Sequence, residues 1–221
     1  MKKRLALLLT LTGFLLGGCL RSTSEKEGLG PGEVDKWNDP NFGIIDVGAY
    51  NYTDYDIYDV FILPPDKSDI KFAADASGHR AVPHGAERWA YGGGSPNFAW
   101  DYRWSIPKKF KVWWLRIVDM KAFTDSGNKY NKYTMKSTEP GAAWCEGEIN
   151  VEHAPSRDRN SNLIIHYYPD GHIEGDVVSS EGDASKVDIK KRDKLPVLKG
   201  RVCLREVPNP YFGKTKPIDM N

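Results

Sequence analysis

Leu163-Ile164-Ile165-His166-Tyr167-Tyr168-Pro169-Asp170-Gly171-His172-Ile173-Glu174-Gly175-Asp176-Val177-Val178 reads as two strands folded about one turn. Proline presets the backbone angle at the second turn position, and glycine accepts the left-handed angle that other residues avoid. If Pro169-Asp170-Gly171 is a three-residue loop, Tyr168 faces His172 and His166 faces Glu174. Side chains alternate along a strand, so these four share one face, while Ile165, Tyr167 and Ile173 take the other and fit a core.

The same periods recur outward from this hairpin. Residues 43–50 and 55–63 read as strands, the second closed by Pro64-Pro65, which cannot pair. A short strand is expected at 70–74. Residues 98–106 alternate, with Phe98, Trp100, Tyr102 and Trp104 on one face, as in a half-buried strand. Residues 110–118 are apolar on both faces and predict a central strand covered on both sides. Further strands are expected at 144–151, 187–190 and 200–207, and long loops at 78–96 and 124–140. Seven Trp, eleven Tyr and eight Phe favour strands over helices. The expected fold is mainly β: a twisted antiparallel sheet or small β-sandwich with long loops.

The N-terminus has a different character. Lys2, Lys3 and Arg4 precede an apolar run over 5–16, which is shorter than the roughly 20 residues of a membrane-spanning helix. A positive start with a short apolar core is a secretory signal peptide, here 1–18. Its end, Leu16-Gly17-Gly18-Cys19, resembles the lipobox of bacterial lipoproteins, which implies acylation at Cys19. Several acyl chains hold a protein on a membrane stably, where one does so only marginally. Leu20 and Arg21 follow, without the Asp that the resemblance associates with inner-membrane retention, so a periplasm-facing anchor in the outer membrane is expected. Residues 19–38 are rich in Ser, Glu and Gly and cannot bury a core, so they read as the lipidated N-terminus and a flexible tether. Residues 39–221 are expected to form one globular β-rich domain.

The chain has 31 basic and 30 acidic residues. A nucleic-acid binder would need a basic face, and none is apparent. With Cys19 acylated, Cys145 and Cys203 remain. Both lie in strand-like segments, and an oxidising compartment predicts a disulfide between them.

Chemistry is sparse. His166, His172 and Glu174 on one hairpin face could hold zinc in a three-ligand arrangement, but cross-strand pairing on a solvated face is the plainer reading. No His-Glu-x-x-His, Cys-rich metal spacing, Gly-x-Ser-x-Gly elbow or P-loop occurs, and Gly92-Gly93-Gly94 lacks the Lys-Ser/Thr ending of a phosphate cradle. No cofactor and no catalytic residue are expected. Lys190-Lys191-Arg192 with Lys194 reads as a solvated turn. The Trp100-Tyr102-Trp104 stripe reads as core. Aromatic residues in or beside the long loops, namely Trp89, Tyr91, Phe98, Tyr130 and Tyr133, are the candidates for contact with a protein partner.

Gly48-Ala49-Tyr50-Asn51-Tyr52-Thr53-Asp54 leads into Ile57, Val60 and Phe61. Gly92-Gly93-Gly94, Trp104, Val112-Trp113 before Asp119, and Leu163 through Gly171 follow in that order. This succession, from Gly48 to Val178, resembles a family of small Gram-negative lipoproteins formerly of unknown function. Its members occur beside type VI secretion genes, and several resemble immunity proteins of type VI lipase effectors. Other members carry paired cysteines after the Gly run, where this chain has Ser95, Pro96 and Asn97. The resemblance implies a non-enzymatic immunity lipoprotein whose partner is a phospholipase effector, neutralised in the periplasm by occlusion of its active site. Two alternatives are a structural or assembly lipoprotein of the envelope or secretion apparatus, and a lipid-anchored hydrolase using the 166–174 hairpin.

Overall fold

Alternating apolar positions at Ile45, Val47 and Ala49 make the first strand, β1 (Phe42–Asn51), bury one face completely. In the computed structural model of the chain, that face meets a second sheet, so the architecture is a β-sandwich. The structure describes residues 39–64, 67–70, 73–76, 80–82, 85–89, 91–93, 98–157, 161–179 and 184–214. All fall within the compact unit Asp35–Asn221. The signal, Cys19 and the tether lie outside the described residues, as do His79, His84, Gly94 and Ser95 to Asn97.

The remaining strands are β2 (Ile57–Leu63), β3 (Ala74–Ala76), β4 (Tyr91–Gly93), β5 (Phe98–Asp101), β6 (Lys108–Ile117), β7 (Ala142–Val151), β8 (Ser161–Tyr167) and β9 (Ile173–Ser179). One sheet runs β4-β1-β8-β9, with β5 pairing along the first half of β1, and the other runs β3-β2-β6-β7. The pairing is mainly antiparallel, as expected, but β1 and β8 are parallel, Gly48 opposite Ile164 and Asn51 opposite Tyr167. The chain leaves β1, builds all four strands of the other sheet in β2, β3, β6 and β7, and returns in its original direction. Parallel neighbours need such a long crossover.

The central core draws from both sheets: Val47 and Ala49, Leu163, Ile165 and Tyr167 on one side, Phe110, Val112, Trp114, Ile149 and Val151 on the other. Trp100 is fully buried there, with Tyr102 and Trp104 packed against it, so the aromatic stripe is core. Phe98 is buried with them at 2% exposure and cannot offer its ring to a partner, which corrects its place among the contact candidates. The strand ends early because Asp101 caps a turn, accepting from Arg103 N at 2.9 Å, with Trp104 N donating to Asp101 O. Where β7 meets β9 the sheets approach so closely that a Cβ on Gly147 would lie 2.8 Å from Ile173, and one on Gly175 2.7 Å from Ile149.

Three segments depart from the strand expectation. The short strand expected at 70–74 sits instead at Ala74–Ala76, pairing with β2. Ile189–Lys194 is a 3₁₀ helix, capped where the Asp188 carboxylate accepts from Lys190 N, and Val187 and Ile189 pack on the outer face of the first sheet. Residues 200–207 make one isolated bridge, Cys145 to Glu206, and are held by the Cys145–Cys203 disulfide instead.

The expected loop at 124–140 begins inside a helix, α1 (Met120–Ser126), started by the Asp119 carboxylate accepting from Ala122 N at 3.1 Å. Residues 118–141 form a lobe between β6 and β7, closed at its base by Val118 N and Asp119 N donating to Gly141 O. Gly141 has φ +77°, and a Cβ there would fall 2.2 Å from Asp119 O, so only glycine fits the closure.

Candidate functional site

The hairpin folds with the register its turn chemistry specifies: His166 opposite Glu174 and Tyr167 opposite Ile173. Gly171 takes φ +89° and its N–H donates to Tyr168 O. Tyr168 and His172 stack face to face with centroids 4.0 Å apart. The shared face is not a solvated one throughout, because residues 184–195 cross it as a strap.

Two tyrosine hydroxyls hold the strap. Ala184 N donates to Tyr50 Oη at 3.2 Å, and Lys186 N to Tyr52 Oη at 2.9 Å. The Trp89 indole N–H donates to Val187 O at 2.6 Å. Arg192 turns inward to the carbonyls of Val82 and Thr53. The 190–194 basic run is therefore partly spent on structure, with Arg192 pinning the strap. Trp89 is 7% exposed and belongs to this inner cluster, which removes it from the contact candidates as well.

Beneath the strap, His166 has no exposed surface and lies beside the Tyr50 and Tyr52 rings, 5.6 and 5.8 Å away. Tyr52 Oη is 2.8 Å from Nδ1. Tyr52 Oη also accepts from Lys186 N; with its own hydroxyl proton donated to Nδ1, the ring proton would sit on Nε2. Nε2 has no hydrogen-bond partner among the described residues; Asp176 Oδ2 is 3.7 Å away. Burial, with the nearby Lys186 ammonium, pushes His166 down to about 4.

Lys186 Nζ sits between Glu174 Oε2 at 2.8 Å and Asp176 Oδ2 at 2.6 Å. Burial alone would lower its pKa, yet these two carboxylates hold it above the ordinary lysine value. The Lys186 hydrogen bond in turn keeps Glu174 below the usual carboxylate range. Burial pushes the Tyr168 phenol up, and it donates to Glu174 Oε2 at 3.1 Å.

The three-ligand zinc reading does not assemble. Glu174 is engaged by Lys186 and Tyr168, and His166 Nδ1 by Tyr52. His172, on the tip, bonds Asp170 and approaches Glu174 Oε1 only to 3.8 Å. Among the described residues no group of three His, Cys, Asp or Glu side chains is placed to share a metal ion. What the cluster can do is hold: it joins two strands and a strap through one buried imidazole and one lysine. Nor is Gly92-Gly93 a cradle, since both pair in β4 with Ala49 and Gly48.

Tyr130 and Tyr133 lie half-buried in the 118–141 lobe. Asn209, 4% exposed, donates to Tyr130 Oη at 2.9 Å, Lys132 O at 2.8 Å and Met135 O at 2.9 Å. Tyr133 packs edge-on against Tyr211 at 5.4 Å. The side chain of Tyr91 lies outside the described residues; its backbone pairs with Tyr50. The role of Asn209 was hidden in the sequence, since it lies far along the chain from the lobe it holds and carries no local signal of that contact. Comparison of the chain with protein-family models, with curated proteins and with solved structures returned no match.

Proposed function

We propose that this chain is an immunity lipoprotein. Its sandwich is tethered through Cys19 to the periplasmic side of the outer membrane, where it binds a type VI secreted phospholipase and blocks the entrance to that enzyme's active site. One observation carries the reading. The separate segments that bear the family resemblance come together as three adjacent strands: Gly92-Gly93 pair with Gly48-Ala49, and Gly48 to Asn51 pair with Ile164 to Tyr167. The likeness is thus one of scaffold, with recognition left to the loops it carries. Tethering suits such an inhibitor, because an enzyme attacking the bilayer meets it at high effective concentration.

The test is whether the purified mature domain inhibits a type VI phospholipase effector encoded in the same genome. Inhibition is expected at one-to-one stoichiometry, without added cofactor, with a dissociation constant of nanomolar order, about −12 kcal/mol. His172→Ala should inhibit as well as the parent. Loss of inhibition in that variant with the fold intact would favour chemistry on the hairpin, and failure to inhibit any such lipase would favour an assembly role in the envelope.

The anchor has its own check. Cells expressing the full chain should incorporate an alkyne palmitate analogue into it, and Cys19→Ser should abolish both labelling and membrane fractionation. Labelling that persists in the variant would remove the anchor from the proposal.

A further inference from the structure

Most aromatic residues of this chain are consumed by its cores, and the exposed large apolar side chains among the described residues are few. Two of them, Met135, 42% exposed, and Phe212, 45% exposed, belong to segments that are joined where Asn209 Nδ2 bonds Met135 O and Gly213 N donates to Tyr133 O at 3.0 Å. Half-buried Tyr130 and Tyr133 continue the same surface. From these placements we infer that the tip of the 118–141 lobe, together with Phe212, is the docking face for a protein partner that brings carboxylates around an apolar contact. The inference rests on the immunity reading and names the surface that reading requires.

Charge decides the kind of partner. Lys121 is paired with Asp125, Lys132 with Asp59 and Lys214 with Asp69. Asp119 caps α1, and Glu139 accepts from Ser126. Lys129 and Lys136 are exposed, flank the apolar tip and have no ion-pair partner among the described residues. Two uncompensated cations beside aromatic and thioether surface complement an acidic rim around an apolar centre, the usual anatomy of a specific interface.

The tip is also held before any partner arrives. The buried Asn209 amide shares its two protons among the Lys132 and Met135 carbonyls and the Tyr130 hydroxyl, fixing the backbone at 132–135 and the Tyr130 side chain. Tyr211 is wedged against Phe61, Tyr133 and Trp144, with Lys132 Nζ 3.9 Å over its ring. A surface fixed in its bound shape loses less entropy on binding, which favours tight association.

The test compares two charge-reversed proteins for binding to the phospholipase that the mature domain inhibits. One carries Lys129→Glu, Lys136→Glu, Met135→Ser and Phe212→Ser. The control carries Lys108→Glu and Lys109→Glu at the start of β6. The lobe variant should bind at least 100-fold more weakly, and the control within about threefold of the parent, with circular dichroism unchanged in both. Asn209→Ala, which frees the tip without touching its surface, should weaken binding about tenfold. A lobe variant that binds like the parent overturns the docking face while leaving the immunity reading in place. If no phospholipase is inhibited, that reading falls separately, and the lobe is then judged on phosphatidylglycerol vesicles. Vesicle binding that depends on Lys129 and Lys136 assigns the tip to a membrane, absence of vesicle binding leaves the tip without a role, and either result overturns the inference.

Discussion

Replacing Cys145 and Cys203 by Ala is expected to lower unfolding stability by about 4 kcal/mol, the chain-entropy value for closing a loop of this length. The two cysteines are 58 residues apart. They span β8, β9, the strap and the turn that carries His172, so reduction would free nearly the whole C-terminal third of the sandwich in the unfolded chain. In the folded chain the bond fixes a segment that strand pairing secures only weakly: the Cys145–Glu206 bridge consists of Glu146 N donating to Arg205 O and Val207 N to Trp144 O. Urea unfolding of the double variant against the parent measures the effect, and at about 2–4 °C per kcal/mol the thermal midpoint should fall by roughly 10 °C. A loss below about 1 kcal/mol would mean that the contacts along 198–207 secure that segment without the bond. Cys145 has no exposed surface and Cys203 only 3%, so reductant should act slowly until the sandwich opens.

The residues that announced themselves in the sequence did so through short-range rules. Pro169, Asp170 and Gly171 specify a turn among their immediate neighbours, so the hairpin and the His166–Glu174 register were legible. Apolar residues on both faces of 110–118 marked β6 as central, and the strand lies between β2 and β7. The two cysteines left after the lipobox could pair only with each other. What stayed hidden depends on partners far along the chain. Nothing local to 187–190 says that Val187 O accepts from Trp89, or that Lys186 bridges Glu174 and Asp176; the same alternating apolar pattern would suit a strand. Asp119 was a legible cap, but α1 is only seven residues long and too short to display a helical period. Parallel pairing of β1 with β8 follows from the excursion through the second sheet, which leaves no mark on either strand. The candidate site divides the same way. The face shared by His166, Tyr168, His172 and Glu174 could be read from alternation, whereas the strap that buries His166 and the Asn209 amide that shapes the lobe could not.

Acidification should cost this fold roughly 3 kcal/mol between about pH 6.5 and pH 4, through His166 alone. The folded imidazole titrates at about 4, pushed down from the ordinary 6.5, first by burial and then by the Lys186 ammonium, with Asp176 and Glu174 opposing. Across that interval the unfolded chain binds a proton that the folded chain refuses, so stability falls as pH falls, and the gap between the two values converts to the figure given. Above 6.5 the contribution is fully present; below about 4 both states are protonated and the loss levels off. Glu174, held below the ordinary carboxylate range by Lys186, adds a loss of the same sign at lower pH. The geometry says why protonation is resisted. A proton on Nδ1 would turn the Tyr52 hydroxyl from donor to acceptor while Tyr52 Oη still accepts from Lys186 N, and it would place a second cation beside the Lys186 ammonium. His166→Gln keeps an acceptor for Tyr52 and cannot titrate. It should be less stable than the parent at pH 7 but show a much flatter dependence from pH 7 to 4.5 in urea midpoints. An equally steep curve in the variant would move the effect to the carboxylates Glu174 and Asp176. In the parent, hydrogen exchange at 184–195, corrected for the intrinsic pH dependence, should rise before exchange in β6 does. The strap hangs on Tyr50, Tyr52 and Lys186, and the charge that destabilises the fold appears directly beneath it.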